Sequence, residues 1–163
     1  MIILGIDPGT ATTGYGVIES KNGKITAVDH GCILTKAGQD LDMRLDIIFD
    51  ELAELIEKFK PEMVAVEELF FASNAKTAIS VGHARGVILL ACRKAKVPVY
   101  EYTPLQVKQA ICGYGRGDKQ QIQKMVKALL NLNEIPKPDD AADGLAIAIC
   151  HAHSYKLKVK RYN

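Results

Sequence analysis

Tryptophan is absent from this 163-residue chain, and its aromatics amount to six tyrosines and four phenylalanines. A core must therefore be built mainly from aliphatic side chains. Cysteine is sparse. Cys32, Cys92, Cys112 and Cys150 are scattered, with no C-x-x-C pair and no zinc-type spacing, which excludes a disulfide framework and a zinc ribbon. They are expected to be reduced and mostly buried. Wholly apolar runs such as Val87 to Cys92 are far too short to span a bilayer, and no charged segment precedes the apolar start. A soluble, cytoplasmic protein without membrane contact is the expectation. Repeats and low-complexity tracts are also missing, so the chain reads as one ordinary domain with room for a substantial core.

The net charge of +2 excludes little, but its distribution is uneven. From Asp40 to Glu68 there are ten acids and three bases; from Arg93 to Asn131 there are eight bases and two acids. The acids largely fit one solvated helix face. The bases form a footprint suited to a polyanion.

What is present starts with Ile2-Ile3-Leu4-Gly5-Ile6-Asp7-Pro8-Gly9-Thr10. A short, nearly all-apolar run predicts a strand covered on both faces, with Asp7 where it emerges and Pro8-Gly9 forcing a turn. A carboxylate at that point needs a cation or donors to compensate it. A second strand follows to Ile18. Asn22-Gly23 then turns the chain into a third strand, Lys24 to about Thr35, giving an antiparallel meander. Asp40 or Asp42 caps a helix with apolar residues from Leu41 to Phe59 at helical spacing, ended by Pro61. Met63-Val64-Ala65-Val66 is a buried strand. A helical crossover before it predicts that it runs parallel to the first, bringing Glu67-Glu68 beside Asp7. Only one of the two glutamates can face Asp7, since side chains alternate, and the residues alone do not choose.

Leu69-Phe70-Phe71 reads either as core or as a stacking surface for an unpaired base. A long helix is expected from about Ser73 to Lys96, with Ala78, Gly82 and Gly86 at four-residue spacing as a stripe suited to close helix approach or a homodimer seam. A fifth strand, Val97 to Tyr102, leads into the capping box Thr103-Pro104-Leu105-Gln106. Gly113-Tyr114-Gly115-Arg116-Gly117 is a glycine-rich loop without the lysine-serine ending of a phosphate-binding loop. Asp118 and Gln121 form a second capping box, opening a helix with Ile122, Met125, Val126, Leu129 and Leu130 inward. Asp139 and Asp140 open the last helix, and Asp140 and Asp143, three apart, share one of its faces. His151 and His153 read as surface or cap residues. The basic stretch 156–163 is a tail, leaving 1–155 as the folded domain.

Taken together, these strings resemble the RuvC family of bacterial Holliday-junction resolvases, nearly end to end and in the same order. The strings are Gly5-Ile-Asp-Pro-Gly-Thr10 with Gly14-Tyr-Gly16, Ala65-Val-Glu-Glu-Leu-Phe-Phe71, Ala84-Arg-Gly86, Gln106-Val-Lys-Gln109 and Asp140-Ala-Ala-Asp-Gly-Leu-Ala-Ile-Ala-Ile149. The resemblance implies a ribonuclease H-like α/β fold, a five-stranded mixed sheet with helices on both faces. It implies catalytic, metal-binding roles for Asp7, Glu67 (rather than Glu68), Asp140 and Asp143. Phe70, Lys108 and Lys119 are its implied DNA contacts, joined by Arg116 of the glycine-rich loop. Gly144 departs from the pattern, standing where alanine is common, and Asp139 has no assigned role.

The implied activity is magnesium-dependent hydrolysis of four-way junction DNA, leaving 5′-phosphate and 3′-hydroxyl ends. The implied cofactor is two Mg²⁺ ions roughly 4 Å apart, with Mn²⁺ as substitute. A homodimer and the RuvA–RuvB branch-migration complex are the implied partners. Asp7-Pro-Gly-Thr also resembles the first phosphate motif of actin-like ATPases, but the chain is too short for that two-domain fold and lacks its second motif. A YqgF-type RNA-processing nuclease would share the acids and not these strings together. A non-catalytic junction binder would gain only repulsion from carboxylates placed at phosphate.

Overall fold

A computed structural model describes residues 1–69 and 75–162, with the side chains of 75, 76 and 156–162 outside that description. Three strands form the meander: β1 (Ile2–Asp7), β2 (Thr12–Lys21) and β3 (Lys24–Leu34). Asn22 and Gly23 both take positive φ, the conformation of a tight hairpin turn. Helix α1 (Leu41–Phe59) follows, closed by Lys60 in the left-handed region ahead of Pro61. Asp40 is its N-cap residue, without a side-chain cap bond, and Asp42 lies in its first turn. Then come β4 (Met63–Glu67), α2 (Ala75–Lys94) and β5 (Val99–Tyr102). The expected starts of α2 at Ser73 and of the aromatic pair Phe70-Phe71 lie outside the described residues. Helices α3 (Pro104–Cys112), α4 (Lys119–Leu129) and α5 (Asp139–Tyr162) complete the chain. Both predicted capping boxes are present, Thr103 with Gln106 and Asp118 with Gln121.

The sheet runs β3-β2-β1-β4-β5, with β1 antiparallel to β2 and parallel to β4. It is mixed and covered on both faces, as expected. Alternation along the strands divides the core. Leu4, Ile6, Val64 and Val66 pack with Ile48, Leu52, Ala84 and Ile88 of α1 and α2. Ile3, Ala65 and Tyr102 pack with Leu145, Ile147 and Ile149 of α5 and with residues of α3 and α4. Each such aliphatic side chain, fully buried, contributes about 1.5–3 kcal/mol. Among the described residues, no helix is long and apolar enough to cross a membrane.

Two expectations fail. His151 is fully buried rather than a surface or cap residue. It lies one helical turn beyond Ile147 on the sheet-facing side of α5, and its Nδ1 pairs with the Tyr102 hydroxyl at 2.8 Å. Met125 is 37% exposed rather than inward, because the buried face of α4 runs through Ile122 and Val126 instead.

Helix α5 lies on β1 and β2 with no side chains between the backbones at several points. A Cβ added at Gly14 would collide with the Asp140 carbonyl, one at Gly5 with the Gly144 carbonyl, and one at Gly16 with the Leu145 backbone. The reverse holds at Gly144, where a Cβ would meet the Tyr15 backbone at 2.5 Å. The departure from alanine at 144 thus belongs to this close seat. Gly14→Ala should cost about 3 kcal/mol, the upper range for overpacking. Urea unfolding of that variant beside the parent checks it, with an unchanged midpoint as the contrary result.

Candidate active site

The alternation that divides the core also aims the acids. Ile3, Gly5 and Asp7 share the α5 side of β1, and Ala65 and Glu67 share that side of the parallel neighbour β4. Glu67 is thereby turned toward Asp7, while Glu68 lies just past the end of β4. Asp140 and Asp143, in the first two turns of α5, meet them from above. One carboxylate oxygen from each of Asp7, Asp140 and Asp143 lies within 4.8 Å of the others. Glu67 lies close enough for its charge to raise the pKa of Asp7.

Asp7, Glu67 and Asp143 border a cleft of about 290 Å³, between β1, β4, α5 and the α3–α4 segment. Lys108 of α3 and Lys119 of α4 stand on its wall, so two predicted DNA contacts share the cleft with Asp7, Glu67 and Asp143. Arg116 is exposed on the glycine-rich loop and does not line it. Phe70 lies outside the described residues. Lys119 Nζ is 3.4 Å from Asp139 and 3.8 Å from Asp143, which gives Asp139 a place: it anchors the lysine at the rim.

The turn after Asp7 is held from three sides, by residues that sequence reading did not single out. Thr10 Oγ1 donates to the Ser80 carbonyl of α2 at 2.6 Å and accepts from Ser80 Oγ at 2.8 Å. Thr35 Oγ1 donates to the Thr10 carbonyl at 2.6 Å and accepts from Arg44 Nε at 2.8 Å. Thr13 Oγ1 bonds the Gly9 carbonyl. Partners 70 positions apart leave no local signal, although a buried threonine beside Asp7 is a weak one.

The assembled charges oppose one another. Burial, then Glu67, Asp143 and Asp140, push Asp7 up to about 8, with Lys119 acting in the other direction. Burial and Asp143 push Glu67 up to about 7 against the Asp7 hydrogen bond and Lys108. Asp143 is raised as well, by burial first. Burial alone would lower Lys119, but Asp143, Asp139 and Asp140 hold it above its usual value. Cys32, across from α5, is pushed up to about 11 by burial and then by Asp140, so it stays a thiol.

An all-oxygen group of mutually repelling carboxylates is the donor set that a hard divalent cation takes, and the residues present fit one. Without a cation, protonation is the remaining relief. Folding raises the Asp7 pKa, so its stability contribution is full below about pH 4 and is lost as pH rises through about 8. Metal-free protein should accordingly lose stability from pH 5 to 8.5. Asp7→Asn should remove most of that fall and raise the melting temperature at pH 8.5 by about 5 °C. A thermal melt in EDTA across this range checks both, and a variant that melts below the parent at pH 8.5 would contradict the charge balance.

The family profile described as "Crossover junction endodeoxyribonuclease RuvC" matches residues 3–151. RuvC of Desulfitobacterium hafniense is 62% identical over 157 residues, covering 96% of this chain and 95% of that one. RuvC of Halothermothrix orenii is 58% identical over 160 residues, covering 98% and 97%. Among solved structures, Thermus thermophilus RuvC in complex with Holliday junction substrate superposes with a TM-score of 0.91 at 39% identity, covering 97% and 96%. The sheet order, the half-buried acids and these matches over almost the full length agree: the chain belongs to the RuvC family of crossover junction endodeoxyribonucleases.

Proposed function

We propose that this protein resolves four-way DNA junctions by paired, magnesium-dependent phosphodiester hydrolysis, leaving 5′-phosphate and 3′-hydroxyl ends. The observation that carries the reading is the convergence of the Asp7, Asp140 and Asp143 oxygens within 4.8 Å, in a cleft walled by Lys108 and Lys119. Acids alone would repel a phosphodiester. Placed beside two lysines they make sense as cation ligands, with the ammonium groups left to receive the phosphate.

Asp7, Glu67, Asp140 and Asp143 would hold Mg²⁺, with Mn²⁺ as substitute. Such ions supply charge neutralisation at the phosphate and a water acidic enough to attack near pH 7. The chain's own groups do the positioning. Burial and the neighbouring carboxylates raise Asp7 and Glu67 together, so a bound cation would relieve the repulsion that a proton otherwise relieves. Lys119 occupies the first position of α4, where the helix dipole disfavours a cation unless an anion arrives. Asp139 and Asp143 hold it there until then, and a phosphate would find both the ammonium and the helix N-terminal donors. Lys108 lines the same cleft, and Phe70 and Arg116 would serve as further DNA contacts.

Paired cuts call for two such sites. On α2, Ile79 and Leu90 are 62% and 51% exposed, and among the described residues nothing lies within 4 Å of a Cβ placed at Gly82 or Gly86. This uncovered apolar face supports a two-fold dimer seam. A RuvA–RuvB-type partnership and a cytoplasmic site of action belong to the same reading.

A synthetic four-way junction with Mg²⁺ or EDTA tests it. Parent protein should sediment as a dimer and give paired, religatable cuts only with the metal. Asp7→Asn or Glu67→Gln should lower cleavage by about a thousandfold or more, with junction binding retained. Glu68→Gln should stay within about twofold of the parent. Retained cleavage in either of the first two variants would overturn the assignment.

A further inference from the structure

A second hollow opens on the other side of the glycine-rich loop from the acids. It measures about 290 Å³, the same as the acidic cleft, and is lined by Cys112, Tyr114, Gln121, Lys124 and Met125. The loop between the two hollows is tightly seated. A Cβ at Gly115 would collide with Leu105, and one at Gly117 would come within 2.8 Å of Cys112 Sγ. Gly117 lines the acidic cleft and Cys112 lines the hollow, so the two spaces adjoin through this one contact.

Between those glycines the loop presents Tyr114 outward, 51% exposed, with Met125 beside it. The ring is not a loose surface group. Its hydroxyl bonds Gln121 Oε1 at 3.4 Å, the atom that also caps α4 through the Asp118 backbone at 3.0 Å. An aromatic ring held by its edge keeps a face open for stacking.

The charge around it has one sign. From Lys108 to Lys127 there are five bases and one acid, and that acid, Asp118, is spent on the α4 cap. Among the described residues, Lys124 makes no ion pair. A π-face, a thioether and an uncompensated ammonium around one hollow match a nucleotide, base on the ring and phosphate on the lysine.

We propose that this hollow is a subsite for a nucleotide flanking the scissile phosphate, its base stacking on Tyr114 and Met125 and its phosphate meeting Lys124. This rests on the junction-nuclease reading and extends it: a strand with its scissile phosphate between Lys108 and Lys119 crosses the Gly113–Gly117 partition and is gripped on the far side. The subsite acts in binding and stays clear of the reacting atoms.

The test uses the full chain and a four-way junction carrying 2-aminopurine at single positions within three nucleotides of the cut. Tyr114→Ala should raise KM roughly tenfold, the scale of one lost base stack, with kcat within about twofold. Tyr114→Phe, which keeps the ring, should retain the parental KM. One probe position should be quenched in the parent and in Tyr114→Phe and bright in Tyr114→Ala. Lys124→Ala should lower the slope of log affinity against log salt by about one. Parental KM and quenching in Tyr114→Ala, as a protein partner in the hollow would give, or a loss confined to kcat, would overturn the subsite alone. A parent that leaves the junction uncut in Mg²⁺ would overturn the subsite together with the reading beneath it.

Discussion

Repulsion among Asp7, Glu67, Asp140 and Asp143 is the force this fold works against, and the seating of α5 is what overcomes it. The helix cannot lift away without exposing Leu145, Ile147 and Ile149, all fully buried. Nor is it held off by intervening side chains, because Gly5, Gly14, Gly16 and Gly144 remove them. The backbone carbonyl of Asp140 therefore lies directly over Gly14, whose strand partner is Asp7. Hydrophobic burial along the helix outweighs charge repulsion at its end. The acids come together because of where the aliphatic residues are.

From this follows the division of labour around the cleft. The sheet provides Asp7 and Glu67 on adjacent parallel strands, where alternation fixes their direction. The helices provide groups that answer charge: Asp140 and Asp143 toward the interior, Lys108 and Lys119 toward the opening. Asp139 restrains Lys119 without joining the acid group. The Thr10–Ser80 bonds tie the turn after Asp7 to α2, so the helix with the exposed apolar residues Ile79 and Leu90 is also attached to the turn that carries Asp7.

Much of this was legible in the sequence because it is written locally. An all-apolar run ending in Asp-Pro-Gly, an Asn-Gly turn and two capping boxes specify their own conformations, and the structure has them. The order β3-β2-β1-β4 followed from hairpin and crossover rules, while the place of β5 beside β4 did not. Glu67 and Glu68 could not be separated by counting along the strand, since the face that α5 would cover was unknown. Family resemblance pointed to Glu67, and the packing of Ala65 gives the physical reason. His151 and Met125 were misplaced for a related cause. Helical spacing defines a stripe, while its edges depend on what packs there: Tyr102 draws His151 in, and the hollow beside Tyr114 leaves Met125 out. Hydrogen bonds between residues 70 apart have no trace in the sequence.

On the reading proposed above, the acid group is held ready for a cation and carries a proton in its place. Calorimetric titration of the metal-free protein with Mg²⁺ at pH 7, in buffers of different ionisation enthalpy, measures the protons released on binding. With Asp7 raised to about 8 and Glu67 to about 7, release of roughly one to two protons per site is predicted, falling by about one in Asp7→Asn. Binding that releases no proton, or a release that the substitution leaves unchanged, would contradict that reading.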